Sequence, residues 1–288
     1  MPTVTLKEIL KNAHNNHYAV GAFNVVDSTF MEAVVSSAEE CNSPVILNIA
    51  EVHFPFFDLE STSAMVLKRI EKSEVPITLN LDHGLTLSNI HRALDCGFSS
   101  IMFDGSHLDL RENIENTLAI VELCRSYDVS VEAELGAVGG SEGGELIGEA
   151  DPRKYTDIDE AKLFVDATDV DALAVAIGNS HGKYKGEPNL DFERLANINK
   201  ILGIPLVLHG GSGISDTDFK RAIELGISKI NFFTGMSQSA LQAAKDFFRV
   251  SLENYNDYLN MNLKIKDSVR QTVKEQMRIF GSIDKAKQ

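Results

Sequence analysis

Residues 205–235 read PLVLHGGSGISDTDFKRAIELGISKINFFTG. A short apolar run, PLVLHG (205–210), gives way to a glycine-rich turn; SDTDFKRAIELG follows with helical patterning, and a second apolar run, KINFFTG (229–235), closes the segment. Strand, helix and strand in that order make a right-handed βαβ crossover between parallel strands. Working outward, six more runs share the character of these two: AVGAFNV (19–25), PVILNIA (44–50), PITLNLD (76–82), SSIMFDG (99–105), SVEAELG (130–136) and ALAVAIG (172–178). Near-continuous Val, Ile and Leu with few charges is how strands covered on both faces read. Helical patterns such as STFMEAVVSSAEEC, LRENIENTLAIVELCRSY and DFERLANINKI separate them. Eight such units close into a (β/α)8 TIM barrel, an α/β fold.

The chain has 288 residues, and barrels of this kind fill 200–250 residues as one domain, so residues 1–288 are read as a single domain. TLKEILKNAHNN supplies an extra N-terminal helix below the barrel, and the pattern after residue 236 is a C-terminal helical extension. The alternative, a doubly wound open sheet, finds no G-x-G-x-x-G turn to support it.

Apolar residues make up 43% of the chain without any stretch fit to span a bilayer, which predicts a protein with a sizeable core and no membrane partner. MPTVTLKEIL lacks a basic start, apolar stretch and cleavage site, so a cytoplasmic location is expected. Cys41, Cys96 and Cys124 show no C-x-x-C spacing and read as buried thiols. With 27 Lys and Arg against 42 Asp and Glu, the formal net charge is -15, which disfavours nucleic acid. An anionic small molecule must therefore be held by local features.

His83, His181 and His209 are each followed by glycine, and each sits where an apolar run stops (ITLNLDHG, LAVAIGNSHG, PLVLHG). If the runs are parallel strands, the three imidazoles meet at one end of the barrel. Three protein ligands with roughly 2.0–2.1 Å Zn–N bonds and an open fourth position form a catalytic zinc site. One such histidine is more simply a hydrogen-bonded core residue, but three together with adjacent glycines favour a metal. His14, His17, His53, His91 and His107 lack the placement, although His53 and His107 lie on the same side. Asp82 adjoins His83, Asp104 ends the fourth run, and Glu132 and Glu134 share one face of the fifth by alternation. Acidic groups inside a barrel are costly without a cation or hydrogen bonds. Glu134 is nearer the strand end and is the better metal contact; Glu132 is expected behind it.

Residues 137–156, AVGGSEGGELIGEADPRKYT, have no apolar period and follow strand five on the active-site side, so they are read as a mobile lid. The loops after strands seven and eight suit phosphate, which barrels hold there at a helix N-terminus. Gly210-Gly211-Ser212-Gly213 precedes a Ser215-x-x-Asp218 cap, and Asn231 and Thr234-Gly235 follow strand eight.

The set AFNV, LDHG, DGS, VEAELG with its following GG, NSHGKY, LHGGSG and KIN-x-x-T resembles the class II, zinc-dependent ketose-bisphosphate aldolases, the fructose- and tagatose-bisphosphate group. The resemblance runs from residue 4 to FGSIDKAK at the C-terminus. It implies reversible cleavage of a ketose phosphate to dihydroxyacetone phosphate and an aldehyde, through an enediolate that zinc stabilises. By the same resemblance His83, His181 and His209 ligate the zinc, and Asp104 and Glu134 offer a second metal position. Asp82 exchanges the C4 hydroxyl proton, and Glu142 on the lid exchanges a proton at C3. Asn24 and Asn231 contact substrate. Gly182, Gly210, Gly211, Ser212 and Thr234, with Lys185 nearby, hold the C1 phosphate, and backbone groups of Gly182 and Gly210 help bind a monovalent cation. A homodimer or homotetramer is implied as well.

A Schiff-base aldolase needs a lysine deep in a strand; Lys229 is read as opening strand eight at the wrong end, and Lys183 and Lys185 as loop residues. Two departures bear on the substrate. Fructose-type members carry Asp where this chain has Phe233. The far phosphate meets a Ser/Gly-rich turn and a D-P-R arginine in bisphosphate enzymes, whereas here the regions read AEVHFPFF (50–57) and NDYLNMNLK (256–264). Glu51 is expected to repel a phosphate, with Arg270 or Arg278 able to compensate. The expectation is an intact C1-phosphate half and a rebuilt aldehyde half. Two rival readings differ in class. A zinc hydrolase typically begins with His-x-His on strand one, where AFN stands; a non-catalytic sugar-phosphate-binding subunit is expected to lose Asp82 or a histidine first.

Overall fold

Eight strands pair in chain order, all parallel, and the last closes on the first. They are β1 (Val20–Asn24), β2 (Val45–Ala50), β3 (Ile77–Gly84), β4 (Ser100–Phe103), β5 (Ser130–Leu135), β6 (Ala172–Val175), β7 (Leu206–Leu208) and β8 (Ile227–Phe232). This computed structural model describes residues 3–140, 152–182, 184, 186, 188–250 and 257–286. Helices follow the strands: α2 (Ser28–Glu40), α3 (Leu59–Ile70), α4 (Leu87–Asp95), α5 (Leu110–Arg125), α6 (Ile158–Thr168), α7 (Phe192–Leu202), α8 (Asp216–Glu224) and α9 (Thr234–Val250). A leading α1 (Leu6–Asn16) and a long α10 (Tyr258–Ile279) complete the described fold. It is an α/β TIM barrel, and none of its described helices is long and apolar enough to cross a membrane.

The acidic balance has a local use. Asp27, Asp58, Asp109, Asp157, Asp191 and Asp257 are the N-caps of α2, α3, α5, α6, α7 and α10, each accepting a backbone N–H from the first turn. A carboxylate there satisfies an orphan donor and meets the positive end of the helix dipole.

Alternation along the strands builds the interior in layers. At the lower end Val20, Ala22, Ile46, Ala172, Ala174 and Val207 form one apolar cluster with Leu6, Ile9, Leu10 and Ala13 of α1. Helix α1 is thus a stopper, started by a capping box between Thr5 and Glu8 and tied on by the Val4 N–H to Ile77 O bond of 3.0 Å. Above this floor the lining turns polar: Asn48, Asn80, Glu132 and Lys229 are fully buried, and Asn80 Nδ2 donates to Asn48 Oδ1 at 3.0 Å. The opposite strand faces, with Leu47, Leu79, Ile101, Leu173 and Leu208 among them, pack under the helices as the main core.

Candidate active site

The upper end gathers the chemistry. His83 lies near the end of β3 in a left-handed conformation, φ 47°, beside a register shift between Leu81 and Gly84. A non-glycine residue pays strain there and is kept only where its contacts over-determine it. The contact is Asp104: His83 Nδ1 donates to Oδ2 at 2.9 Å, and Asp104 is itself fixed by Ser106 N and Oγ at 3.1 and 2.7 Å. His209 follows β7 directly; its Nε2 donates to Glu132 Oε1 at 3.0 Å. With those protons assigned, His83 Nε2 and His209 Nδ1 face each other at 3.0 Å.

His181 departs from the strand-end expectation, because β6 stops at Val175 and His181 lies in the loop beyond it. The loop is bolted in place instead. Ile177 N donates to Asn179 Oδ1 at 2.8 Å, and Asn179 Nδ2 donates to His209 O at 3.1 Å. His181 N donates to Gly139 O at 2.7 Å. The Tyr184 hydroxyl accepts from Ser180 N at 2.7 Å and donates to Gly210 O at 3.1 Å. The ring of His181 then sits 4.8 Å from that of His83 and 5.5 Å from that of His209, centroid to centroid.

One ring nitrogen from each histidine lies within 4.8 Å of the others. Around a tetrahedral ion with Zn–N bonds of roughly 2.0–2.1 Å, ligand nitrogens stand about 3.3 Å apart. Two lone-pair nitrogens facing at 3.0 Å, as His83 and His209 do, need a cation or a proton near them. Among the described residues Asp82 Oδ2, Glu134 Oε2 and Asn231 Oδ1 are buried without a hydrogen-bond partner, a costly arrangement that a cation or hydroxylic ligand relieves. The donor set fits a divalent metal. His83, Asp104 and Glu134 form a second grouping of the same kind.

Electrostatics follow from burial and crowding. Burial lowers the His83 imidazole, but the Asp82 charge, the Asp104 hydrogen bond and Glu134 outweigh it and raise its pKa to about 10. Burial and the neighbouring His83 charge push His181 and His209 well below the usual range. Burial, then the Asp104 charge, raises Glu134 to about 8. Asp82 stays below the ordinary carboxylate value: burial works against its charge, and His83, His209 and Lys229 overcome it. Asn231 Nδ2 donates to Asp82 Oδ1 at 2.8 Å and so aims the carboxylate.

A small cavity beside His181 is lined by Gly182, Gly210, Gly211, Ser212, Asn231, Phe233 and Thr234. Gly210 has φ +66°, and a Cβ there would stand 2.1 Å from Ser180 O, so only glycine lets the β6 and β7 loops meet. Gly235 N donates to Ser212 Oγ at 3.0 Å, joining the β7 and β8 loops. Asn24 is fully buried at the end of β1, in register with Asn48. Glu142 and Lys185 lie outside the described residues.

The opposite side is more apolar: Val52, Leu85 and Val138 join His83, Asp104 and Glu134 around a second cavity. His53, nearly buried, packs its ring 5.0 Å from that of Phe233, and burial lowers its pKa against the pull of Asp82.

Glu51 is held by hydrogen bonds, its carboxylate accepting from Leu85 N at 2.7 Å and Asn89 Nδ2 at 2.8 Å at the start of α4. Arg270 pairs with Glu40 of α2, and Arg278 with Glu275 on its own helix and Asp216 of α8. One further sequence expectation needs correction. Lys229 does not open strand eight. The strand begins at Ile227, and Lys229 is fully buried in the barrel, its Nζ 2.5 Å from Glu132 Oε2. The missed signal was alternation: Lys229 is two residues before Asn231 and shares its face.

A parallel barrel whose strand ends carry convergent imidazoles and carboxylates beside a glycine-lined cavity belongs with the barrel enzymes. The family profile described as fructose-bisphosphate aldolase class-II matches residues 4–285. The chain belongs to that family and is an aldolase, a lyase. It is 40% identical to the 6-phospho-5-dehydro-2-deoxy-D-gluconate aldolase of Halalkalibacterium halodurans, over 100% of this chain and 99% of that one. It is 37% identical to the fructose-bisphosphate aldolase of Staphylococcus aureus, over 100% of both. Among solved structures, the YdjI aldolase of Escherichia coli K12 superposes with a TM-score of 0.88 at 35% identity, over 99% of this chain and 100% of that one. Class II aldolases are generally metal-dependent, and among the described residues the two side-chain groupings above could hold an ion.

Proposed function

We propose that the protein is a zinc-dependent aldolase that reversibly cleaves a ketose phosphate, with its phosphate next to the ketone, to dihydroxyacetone phosphate and an aldehyde. The observation that carries this reading is the meeting of His83, His181 and His209 beside the Asn231-oriented carboxylate of Asp82. A zinc ion bound there supplies a Lewis acid that polarises the ketone. Asp82, charged and buried, takes the proton from the hydroxyl on the far side of the breaking carbon–carbon bond, as a positioned general base. Asn231 holds its second oxygen still. Gly182, Ser212 and Thr234 offer the backbone and hydroxyl donors of a phosphate cradle, and Gly211, whose N–H donates to Asn231 O at 3.1 Å, lines it without a side chain. Glu142 is proposed as the acid that returns a proton to the carbanion. The active unit is proposed to be a homodimer or homotetramer.

The aldehyde half is proposed to be unphosphorylated. Phe233, with the His53 ring packed 5.0 Å from its own, stands where fructose-type members carry Asp, and Arg270 and Arg278 each pair with acidic residues of their own chain. The relative named for 6-phospho-5-dehydro-2-deoxy-D-gluconate acts on a substrate with one phosphate, beside its keto group. The test is release of dihydroxyacetone phosphate, with and without a chelator, from fructose 1,6-bisphosphate, tagatose 1,6-bisphosphate and a panel of ketose 1-phosphates and keto-acid phosphates. A chelator-sensitive preference for singly phosphorylated compounds is expected. A strong preference for a bisphosphate rejects the proposed aldehyde half, and chelator-resistant turnover rejects the metal.

A further inference from the structure

We infer that Lys229 and Glu132 act as a positioning pair for His209, fixing which of its ring nitrogens is presented to the ion. The inference rests on the metal reading above. Both side chains are fully buried, with Lys229 Nζ 2.5 Å from Glu132 Oε2, while the other carboxylate oxygen, Oε1, lies 3.0 Å from His209 Nε2. A carboxylate only accepts, so His209 must carry its proton on Nε2 and turn the lone pair of Nδ1 outward. Nδ1 is the atom that faces His83 Nε2. A carboxylate behind a metal-bound imidazole orients the ring and raises its basicity.

The lysine explains how that carboxylate persists in the barrel. An unpaired anion buried there would be strongly destabilising, and an ammonium in contact offsets it. Threading the aliphatic stem of Lys229 between β8 and the interior brings the counter-charge from the side away from the mouth. The contrast with His83 is instructive: its partner Asp104 is 16% exposed, whereas Glu132 and Lys229 are both 0% exposed. The first pair is open to solvent at its edge and the second is sealed from it. The same contact removes Lys229 from Schiff-base chemistry, since its nitrogen is engaged below the imidazoles.

The test is zinc affinity, measured by stripping the purified protein and titrating it against a chromophoric chelator. Wild type is compared with Glu132→Gln, Lys229→Met and the double variant, with thermal unfolding of each metal-free form alongside. Single variants should bind zinc about 10–100-fold more weakly. The double variant carries no unpaired buried charge; it should recover metal-free stability over Lys229→Met yet stay weak for zinc. Glu132→Gln keeps the shape of the side chain and carries the test if Lys229→Met does not fold. Zinc affinity within twofold of wild type in Glu132→Gln and in the double variant overturns the inference, as does a loss confined to metal-free stability. A wild-type chain that retains no divalent ion overturns the metal reading and this inference with it.

Discussion

Asp82 is the residue on which the proposed chemistry turns. It is fully buried, held charged by cationic neighbours and aimed by Asn231. Asp82→Asn preserves shape and removes the base, so turnover should fall by about 10²–10⁴-fold while zinc content stays at the wild-type level. A fall of less than tenfold in steady-state release of dihydroxyacetone phosphate would assign the proton to another group. Much of the site was legible residue by residue. Asp82, Asp104, Glu134 and Asn231 lie at strand ends where alternation makes facing predictable, and the structure brings them together. His181 and Lys229 were read less well, for opposite reasons. A loop residue has no period to read, and the position of His181 is set by the bond Asn179 donates to His209 O and the bond the Tyr184 hydroxyl accepts from Ser180 N. Lys229 has a period, but a lysine at the head of an apolar run looks like a strand boundary; here its charge is met across the barrel by Glu132.

At the scale of elements, the loops and straps between helices carry distinct risks. Gly210→Ala meets two obstacles at once, the positive φ and a contact at 2.1 Å with Ser180 O. It should cost about 1–3 kcal/mol of strain, seen as a lower urea midpoint, and should weaken binding of inorganic phosphate. A variant of unchanged midpoint would mean that the two loops separate freely. Helices α2 and α3 are strapped by Arg69, whose guanidinium donates to both carboxylate oxygens of Glu39 at 2.9 and 2.8 Å. That hydrogen bond outweighs burial and lowers the Glu39 pKa. The folded-state value lies below the unfolded one, so the stabilisation is present at neutral pH and is lost as the pH falls through the carboxylate range. Partly exposed, the strap should contribute at most about 1 kcal/mol. The stability gap between wild type and Glu39→Gln should therefore be open at pH 7 and narrow as the pH falls below the ordinary carboxylate range; a gap that widens in acid would contradict the assignment. The eight strands were visible as apolar runs because parallel strands are covered on both faces. Their ends were less so: β7 keeps only Leu206–Leu208 as strand, and the polar turn that follows is shaped by its neighbours.

For the molecule as a whole, the apolar floor is the structural foundation. Leu10 of α1 is fully buried against the lower barrel lining, and Leu10→Ala should cost about 2–5 kcal/mol in global stability. Denaturant unfolding checks this, and a loss below about 0.5 kcal/mol would show that α1 packs too loosely to seal the barrel. The position of α1 below the barrel was readable from its place before the first strand and its amphipathic pattern. The polar belt above it was not, because a buried Lys and Glu cancel each other only once the closed sheet brings β5 and β8 to face across the interior.

A tube leaks at two ends, a cup at one. Because Leu6, Ile9, Leu10 and Ala13 cork the lower opening, bulk water does not reach the imidazoles and carboxylates through that end. A carbanion formed above that plug is shielded from below, so only the rim is left for a bound substrate to cover.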